Sequence, residues 1–355
     1  MGRTFLTIAE QLAAELRSEL IRGRWGGSLP GRKPLAERYG VNHKTVEAAM
    51  VLLEAEGLLE NQGQGRKRRV VLPRNASMPM RVCILSYDRN DRQLPYMIEL
   101  QHLLEEAGHT PFFTDKTLVE LKRKLSRVQR LVAATEADAW IVCAGPKDVL
   151  AWFAEQPVPA FALFGRRQGL PIASAGPDQS TAMVAIAEQF ISLGHRRIVQ
   201  LVMKERRYPE PGDPERHLLE TLESHGIRTG PYNLPDWEEG PIGFQTLLTS
   251  LFQVSPPSAL IVDDPTTLFA PVQQFLQRRG LRVPEDVSLI ITEPHPYLDW
   301  CRPSIAHVVW DNRPILRRML RWAGRVSRGQ RDVQQTLTPT SIYAGGTIGP
   351  ARESG

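Results

Sequence analysis

The chain has 355 residues, 42% of them hydrophobic and 23% charged, and a formal net charge of +5. That balance excludes a disordered or fibrous chain and supplies apolar material for two or three compact units. No run of eighteen apolar residues occurs, which argues against a helical membrane span, and Cys83, Cys143 and Cys301 form an odd set without metal-site spacing, read as reduced structural thiols.

The charge is unevenly placed. Residues 1–80 hold 13 Lys and Arg against 8 Asp and Glu, whereas residues 81–355 hold 31 of each. A polyanion partner is therefore expected for the amino-terminal end and not for the remainder. The chain enters an amphipathic pattern at once, with no apolar leader, so a soluble, cytoplasmic protein is expected.

Thr7 and Glu10 make a capping-box pattern, and Ile8, Leu12, Leu16 and Leu20 then recur every fourth residue up to Gly23, which predicts a first helix. A turn-rich stretch follows. PLAERY, ended by Gly40, predicts a short second helix with Pro34 near its start. Asn42 can cap a third, HKTVEAAMVLLEAE, whose Val46, Ala49, Met50 and Leu53 form one apolar face before Gly57. Two short helices around a tight turn make a helix-turn-helix. LLEN and RRVVL then read as two strands about a glycine turn from Gln62 to Gly65, a wing whose basic run begins at the tip. Alternation sends Arg66 and Arg68 to one face and Lys67 and Arg69 to the other, and phosphate contact is their natural use.

These first 70 residues resemble the winged helix-turn-helix of GntR-type bacterial transcription regulators, in the order helix, RGRW, LPG, LA-x-x-x-GV, TV, LLEAEGLL and G-x-G. The resemblance implies base or phosphate contacts by Asn42, His43, Lys44, Thr45 and Glu47, with Lys33 keeping a cation that family members carry. Members commonly have Ser-Arg before Thr-Val and an arginine just after it; Asn42, His43 and Glu47 stand there instead. Loss of those arginines from the recognition helix suggests that the wing compensates.

PRNASMPM reads as a linker. Beyond it, apolar strand-like runs (RVCILSY, PFFTD, DAWIVCA, PAFALFG, PIASAG, RRIVQLV, ALIVDD, VSLIIT, SIAHVVW) alternate with helical patterns such as YMIELQHLLEEAGH, LVELKRKLSRVQRLVAAT and ILRRMLRWAGRV. Continuous apolar strands between amphipathic helices predict parallel sheets covered on both faces, and the length predicts two lobes. TLTPTSIYAGGTIGP reads as a last strand and a flexible tail.

The second part resembles the periplasmic-binding-protein-like effector domain of LacI-type repressors, in Asp178 before a helix ending ISLGHRRIVQLV, in ALIVDDPTTLFAPVQQFLQRRGLRVPEDVSLIITE and in RPSIAHVVWDNRPILRRMLRWAGRVSRGQ. The fold class expected is thus an α+β winged helix-turn-helix over 1–73, a linker over 74–80 and a two-lobed α/β domain over 81–355. The resemblance implies lobes of roughly 81–195 with 294–322, and 196–293 with 323–355. The family's Arg-x-x-Gly-Phe is altered here, its arginine position falling on Pro214 or Arg216.

Open parallel sheets bind ligands beyond the carboxyl ends of their strands. Ser86, Tyr87 and Asp88, then Gly145, Arg166, Asp178, Asp263 and Asp264, and Glu293, His295, Tyr297 and Trp300 stand there. Carboxylates beside aromatic rings suit a sugar-like polyol; the plainer alternative is that each Asp caps the next helix and the rings are core. No nucleophile elbow, zinc-helix or P-loop motif occurs, and His102, His109 and His195 read as structural, so neither enzyme, cofactor nor metal is expected. The pyridoxal-phosphate, aminotransferase-like domain of some GntR-type regulators needs a longer second domain than this. The expected function is a homodimeric, ligand-responsive repressor of a duplex operator. The alternative is a constitutive or architectural DNA-binding protein whose second domain only dimerises.

Overall fold

The computed structural model describes residues 7–21, 25, 27–63, 66–71, 78–264 and 266–352. The expected stop at Gly23, the Gln64 and Gly65 part of the wing turn and most of the linker lie outside them.

The amino-terminal module is α1 (Ile8–Ile21), α2 (Arg32–Tyr39), α3 (His43–Ala55), β1 (Leu59–Glu60) and β2 (Arg69–Val70), the two strands antiparallel. Thr7 and Glu10 make the expected reciprocal cap. Asn42 Oδ1 accepts the Thr45 amide at 2.8 Å and starts α3. Gly40, at φ 62°, closes α2 in the left-handed conformation a side chain would resist. The apolar stripes meet in one core of Leu12, Leu16, Leu20, Leu35, Val46, Met50, Leu53 and Leu59. Glu19 is buried among them because its carboxylate accepts from Trp25 Nε1, Arg38 Nη2 and Tyr39 Oη, at 3.1, 3.2 and 2.6 Å. The wing strands are shorter than expected, and the basic strand is shared: Ser28 bridges Arg69, and the Leu29 amide donates to the Arg68 carbonyl.

Beyond residue 80 the elements run β3 (Arg81–Leu85), α4 (Pro95–Glu106), β4 (Thr110–Phe113), α5 (Leu125–Ala133), β5 (Ala139–Cys143), α6 (Lys147–Glu155), β6 (Ala160–Leu163), β7 (Ala173–Pro177) and α7 (Gln179–Ser192). They continue as β8 (Ile198–Leu201), α8 (Lys204–Arg207), α9 (Asp213–Ser224), α10 (Pro241–Val254), β9 (Ala259–Val262), α11 (Phe269–Arg278), β10 (Ser288–Ile291), β11 (Ala306–Trp310), α12 (Arg313–Val326), β12 (Gln335–Thr338) and β13 (Thr340–Tyr343). One sheet has the order β12-β7-β6-β5-β3-β4, the other β13-β11-β10-β9-β8.

In the second sheet successive residues go to opposite faces. Val199, Leu260, Val262, Leu289 and Ile291 meet α10 and α11, while Ile198, Ile261, Ile290 and Val308 meet α7 and α9. That double burial is why these strands lack polar alternation. Cys83 and Cys143 are buried as expected, and burial pushes the Cys83 thiol up to about 12.

Three expectations need revision. The stretch 118–135, read as one helix, is interrupted at Lys122 and Arg123, both at positive φ, so α5 begins only at Leu125. Helix α10, unexpected from the sequence, carries Phe244, Leu248, Leu251 and Phe252 into the core. In the sheets, β11 lies in the second beside β10, and β12 pairs with β7 in the first. Pro339 separates β12 from β13, so adjacent residues enter different sheets. Finally, the tail is tied down, Thr347 Oγ1 donating to the Leu289 carbonyl and Arg352 pairing with Asp286.

Candidate DNA-binding and effector sites

On the amino-terminal module Lys33, His43, Lys44, Arg66, Lys67 and Arg69 are exposed, a set of cations and one imidazole drawn from α2, α3 and the wing. Arg69 lies 3.7 Å from Glu60, a loose surface pair. The remaining expected contacts are engaged internally. Asn42 spends Oδ1 on the cap, where the Thr45 hydroxyl also donates to it at 3.0 Å. Glu47 accepts from Arg68 at 2.6 Å and lies 3.3 Å from Arg32.

Arg68 turns inward, its side chain only 13% exposed. It donates through Nε to Glu54 and through Nη2 to Glu47, both on α3. Burial opposes its charge, but the two carboxylates outweigh it and raise its pKa. Strand alternation places Arg66 and Arg68 together, yet the chain between them leaves the strand, which begins only at Arg69. Arg32, at the start of α2, is an exposed cation the sequence reading does not single out.

Past the first sheet, Ser86 is fully buried and accepts from Arg92 Nε at 3.3 Å. The Tyr87 hydroxyl accepts from Arg123 at 3.4 Å, and Asp88 accepts the Asn90 amide within its own turn. Arg166 is committed to backbone, donating to the carbonyls of Glu205, Tyr208 and Glu210 at 3.0, 2.6 and 3.0 Å. Asp178 caps α7 through the Thr181 amide and hydroxyl.

At the carboxyl ends of β8, β9 and β10 the structure assembles a charged group. Arg206 donates to the fully buried Glu215 at 2.8 Å, and its Nη1 lies 3.7 Å from Asp263, which in turn accepts from Thr292 Oγ1 at 2.5 Å. Burial works against the guanidinium charge, but Asp263 and Glu215, with Glu293 contributing, outweigh it and hold it protonated. Arg206 comes from α8, upstream of Pro214 and Arg216, and Arg216 pairs on the surface with Asp213 and Glu220. The sequence signal was the cationic run KERR close after β8.

Beside it, Asp264 sits at positive φ and accepts the amides of Thr266 and Thr267, a turn-forming role. His295 and Tyr297 pack with ring centroids 4.6 Å apart, and Tyr297 stacks on Phe269. Burial pushes the His295 pKa down, with Asp264 opposing, and pushes the Tyr297 hydroxyl up. Trp300, 86% exposed, belongs to no core. Asp263, Glu293 and Arg206 thus come together, whereas Asp88, Asp178 and Asp264 are caps and turns, the plainer alternative. No group of three metal-ligating side chains occurs among the described residues.

Residues 8–67 match the model of the bacterial regulatory proteins of the gntR family, and residues 187–348 match that of the periplasmic binding protein-like domain. A LacI family regulator from Mycobacterium smegmatis is 22% identical, with a TM-score of 0.59 over 76% of this chain and 99% of that one. The regulator CelR in complex with cellobiose is 15% identical, TM-score 0.61, over 90% of this chain and 100% of that one. A LacI family regulator from Enterococcus faecium with bound ribose is 15% identical, TM-score 0.56, over 77% and 100%. At such identities the likeness is one of fold. No curated protein matches the chain. Two family models thus meet on one chain, the gntR type over residues 8–67 and the periplasmic binding protein-like domain over residues 187–348.

Proposed function

We propose that the protein is a homodimeric repressor acting on cytoplasmic DNA, whose operator affinity is set by a small polyol, a sugar being the favoured class. The observation that carries this reading is the succession of a winged helix-turn-helix bearing exposed Lys33, His43, Lys44, Arg66, Lys67 and Arg69 and a domain that gathers Arg206, Asp263 and Glu293 at its strand ends. Carboxylates accept from paired hydroxyls, and a guanidinium donates to ring or hydroxyl oxygens. The bound ribose and cellobiose of the two relatives are polyols of this kind. Lys33, Lys44, Arg66, Lys67 and Arg69 serve phosphates; His43 reads a base edge. A ligand that favours one arrangement of the second domain shifts operator affinity by its differential affinity for the two states. The reading gives the chain no catalytic step.

One observation favours a second reading, a constitutive DNA-binding protein: Arg206 already has Glu215 and Asp263 as partners. Calorimetric titration with a panel of pentoses, hexoses and disaccharides, with and without operator fragments from genomic footprinting, separates them. The repressor reading expects one sugar to bind and to weaken or strengthen DNA binding at least fivefold. DNA affinity that stays constant at saturating sugar sinks it.

A further inference from the structure

Between Asp311 and Asp332 the chain carries seven arginines and no acidic residue. Everything else in 81–355 holds 24 Lys and Arg against 31 Asp and Glu, so this short segment alone brings that part of the chain to neutrality. Helix α12 sorts the arginines. Arg318 is buried and donates to the Gln334 carbonyl at 2.6 Å, and Trp322, packed on Phe161 at 5.3 Å between centroids, fixes the inner face. Arg313, Arg317, Arg321 and Arg325, one turn apart, are exposed, and Arg328 follows beyond the helix end. Arg313 is held by Asp311 and Arg325 lies 3.4 Å from Asp332, at either end. Arg317 is drawn to Asp311 at the helix start, while Arg321 and Arg328 have no acidic partner among the described residues.

A solvated helix face ordinarily mixes signs, since like charges at i and i+4 repel. Four arginines in line, about 6 Å apart along the axis, need a polyanion to be favourable, and arginine suits phosphate through its planar fork. The carboxyl end of this helix also lies beside the chain's entry from the DNA-binding module. The Met78 amide donates to the Ser327 carbonyl at 3.2 Å. Seven residue steps connect Val71 of the wing to Met78, a tether that reaches at most about 25 Å.

We propose that the exposed arginine stripe of α12, continued by Arg328, is a second DNA contact, sequence-independent, engaging backbone phosphates of duplex that flanks the site read by the winged helix. The inference rests on the reading of the amino-terminal module as DNA-binding. It makes the second domain a direct participant in operator affinity.

The test is fluorescence anisotropy of the full chain on a random-sequence duplex of about 60 base pairs, across a salt series, because each phosphate contact contributes roughly 0.9 to the slope of log affinity against log salt. R317Q/R321Q/R325Q/R328Q is expected to flatten that slope by about 2–4. The corresponding four-lysine variant keeps it, and R317Q/R321Q and R325Q/R328Q each lose part, which guards against a misfolded quadruple variant. An unchanged slope in the glutamine variants overturns the proposal, as does an unchanged slope accompanied by lost binding of polyglutamate, which assigns the stripe to an acidic protein. The parallel wing variant R66Q/K67Q/R69Q separates the two readings. If it flattens the slope and the stripe variants do not, the stripe alone fails; if the native chain shows no salt-dependent binding at all, the DNA-binding reading fails with it.

Discussion

At the scale of single residues, the basic run that opens the wing divides by partner. Arg68 is spent on Glu47 and Glu54, fastening the wing to the recognition helix, whereas Arg66 and Lys67 meet no acid among the described residues. Removing Arg68 leaves two carboxylates without their donor, so Arg68→Ala is expected to destabilise the amino-terminal module by about 1–3 kcal/mol, read from urea melts followed by the fluorescence of Trp25. Arg66→Ala and Lys67→Ala leave that melt unchanged and each lower the salt slope of DNA binding by roughly one. Equal melts for all three variants would remove the clasp. Glu19 is a similar case. Its carboxylate is the shared acceptor for Trp25, Arg38 and Tyr39, and together with burial it keeps the Tyr39 hydroxyl protonated far into the alkaline range. Glu19→Leu is expected to lower the module's stability by about 1–3 kcal/mol, since Trp25, Arg38 and Tyr39 lose their one buried acceptor; a melt within error of the native one would contradict this.

At the scale of elements, one device recurs in both sheets: a helix ends on a left-handed glycine, and the next residue is a histidine that fills the turn before a strand. Gly108 and His109 follow α4, Gly194 and His195 follow α7. His109 Nδ1 accepts the Met80 amide at 3.3 Å. His195 Nε2 donates to the Gly349 carbonyl at 2.9 Å, and Nδ1 lies 3.0 Å from the Ser258 hydroxyl. Burial lowers both pKa values, at His195 against the Gly349 carbonyl, which favours the charged ring. The unfolded chain binds protons at these rings below about pH 6.5, where the folded chain does not. Stability from this source is whole above that pH and declines as pH falls below it. Denaturant melts at pH 7.5 and 5.5 check this: the native chain is expected to weaken at the lower pH, and His109→Gln with His195→Gln to weaken less. An equal loss in native and variant chains places the acid sensitivity elsewhere.

At the scale of the whole molecule, the second sheet's strand ends bring charge into the interior. Arg206, Glu215 and Asp263 form a group that is expensive to break, because loss of one member strands the others in low dielectric. Arg206→Met is therefore expected to abolish the response to a sugar while DNA binding by the separate amino-terminal module persists, measured by titrating ligand into the variant on operator DNA. A variant that still responds would show that Arg206 is only structural. By linkage, whatever factor the sugar changes DNA affinity, DNA changes sugar affinity by the same factor; unequal factors would mean that the two measurements report different species.

Much of this was legible in the residues themselves. Capping signals at Thr7, Glu10 and Asn42, the apolar stripes of α1 and α3, the doubly buried strands and the placement of charge are local or periodic properties, and these fixed the winged helix-turn-helix and the α/β class without tertiary information. What depended on residues distant in the chain was not legible. Arg68 meets Glu54 only once wing and helix pack, Arg206 meets Asp263 across 57 positions, and the Pro339 crossover sends β12 and β13 to different sheets. A side chain's partner is set by which backbone segments pack together, and one sequence alone records the hydrophobic periodicity that drives packing but not the pairings that packing produces.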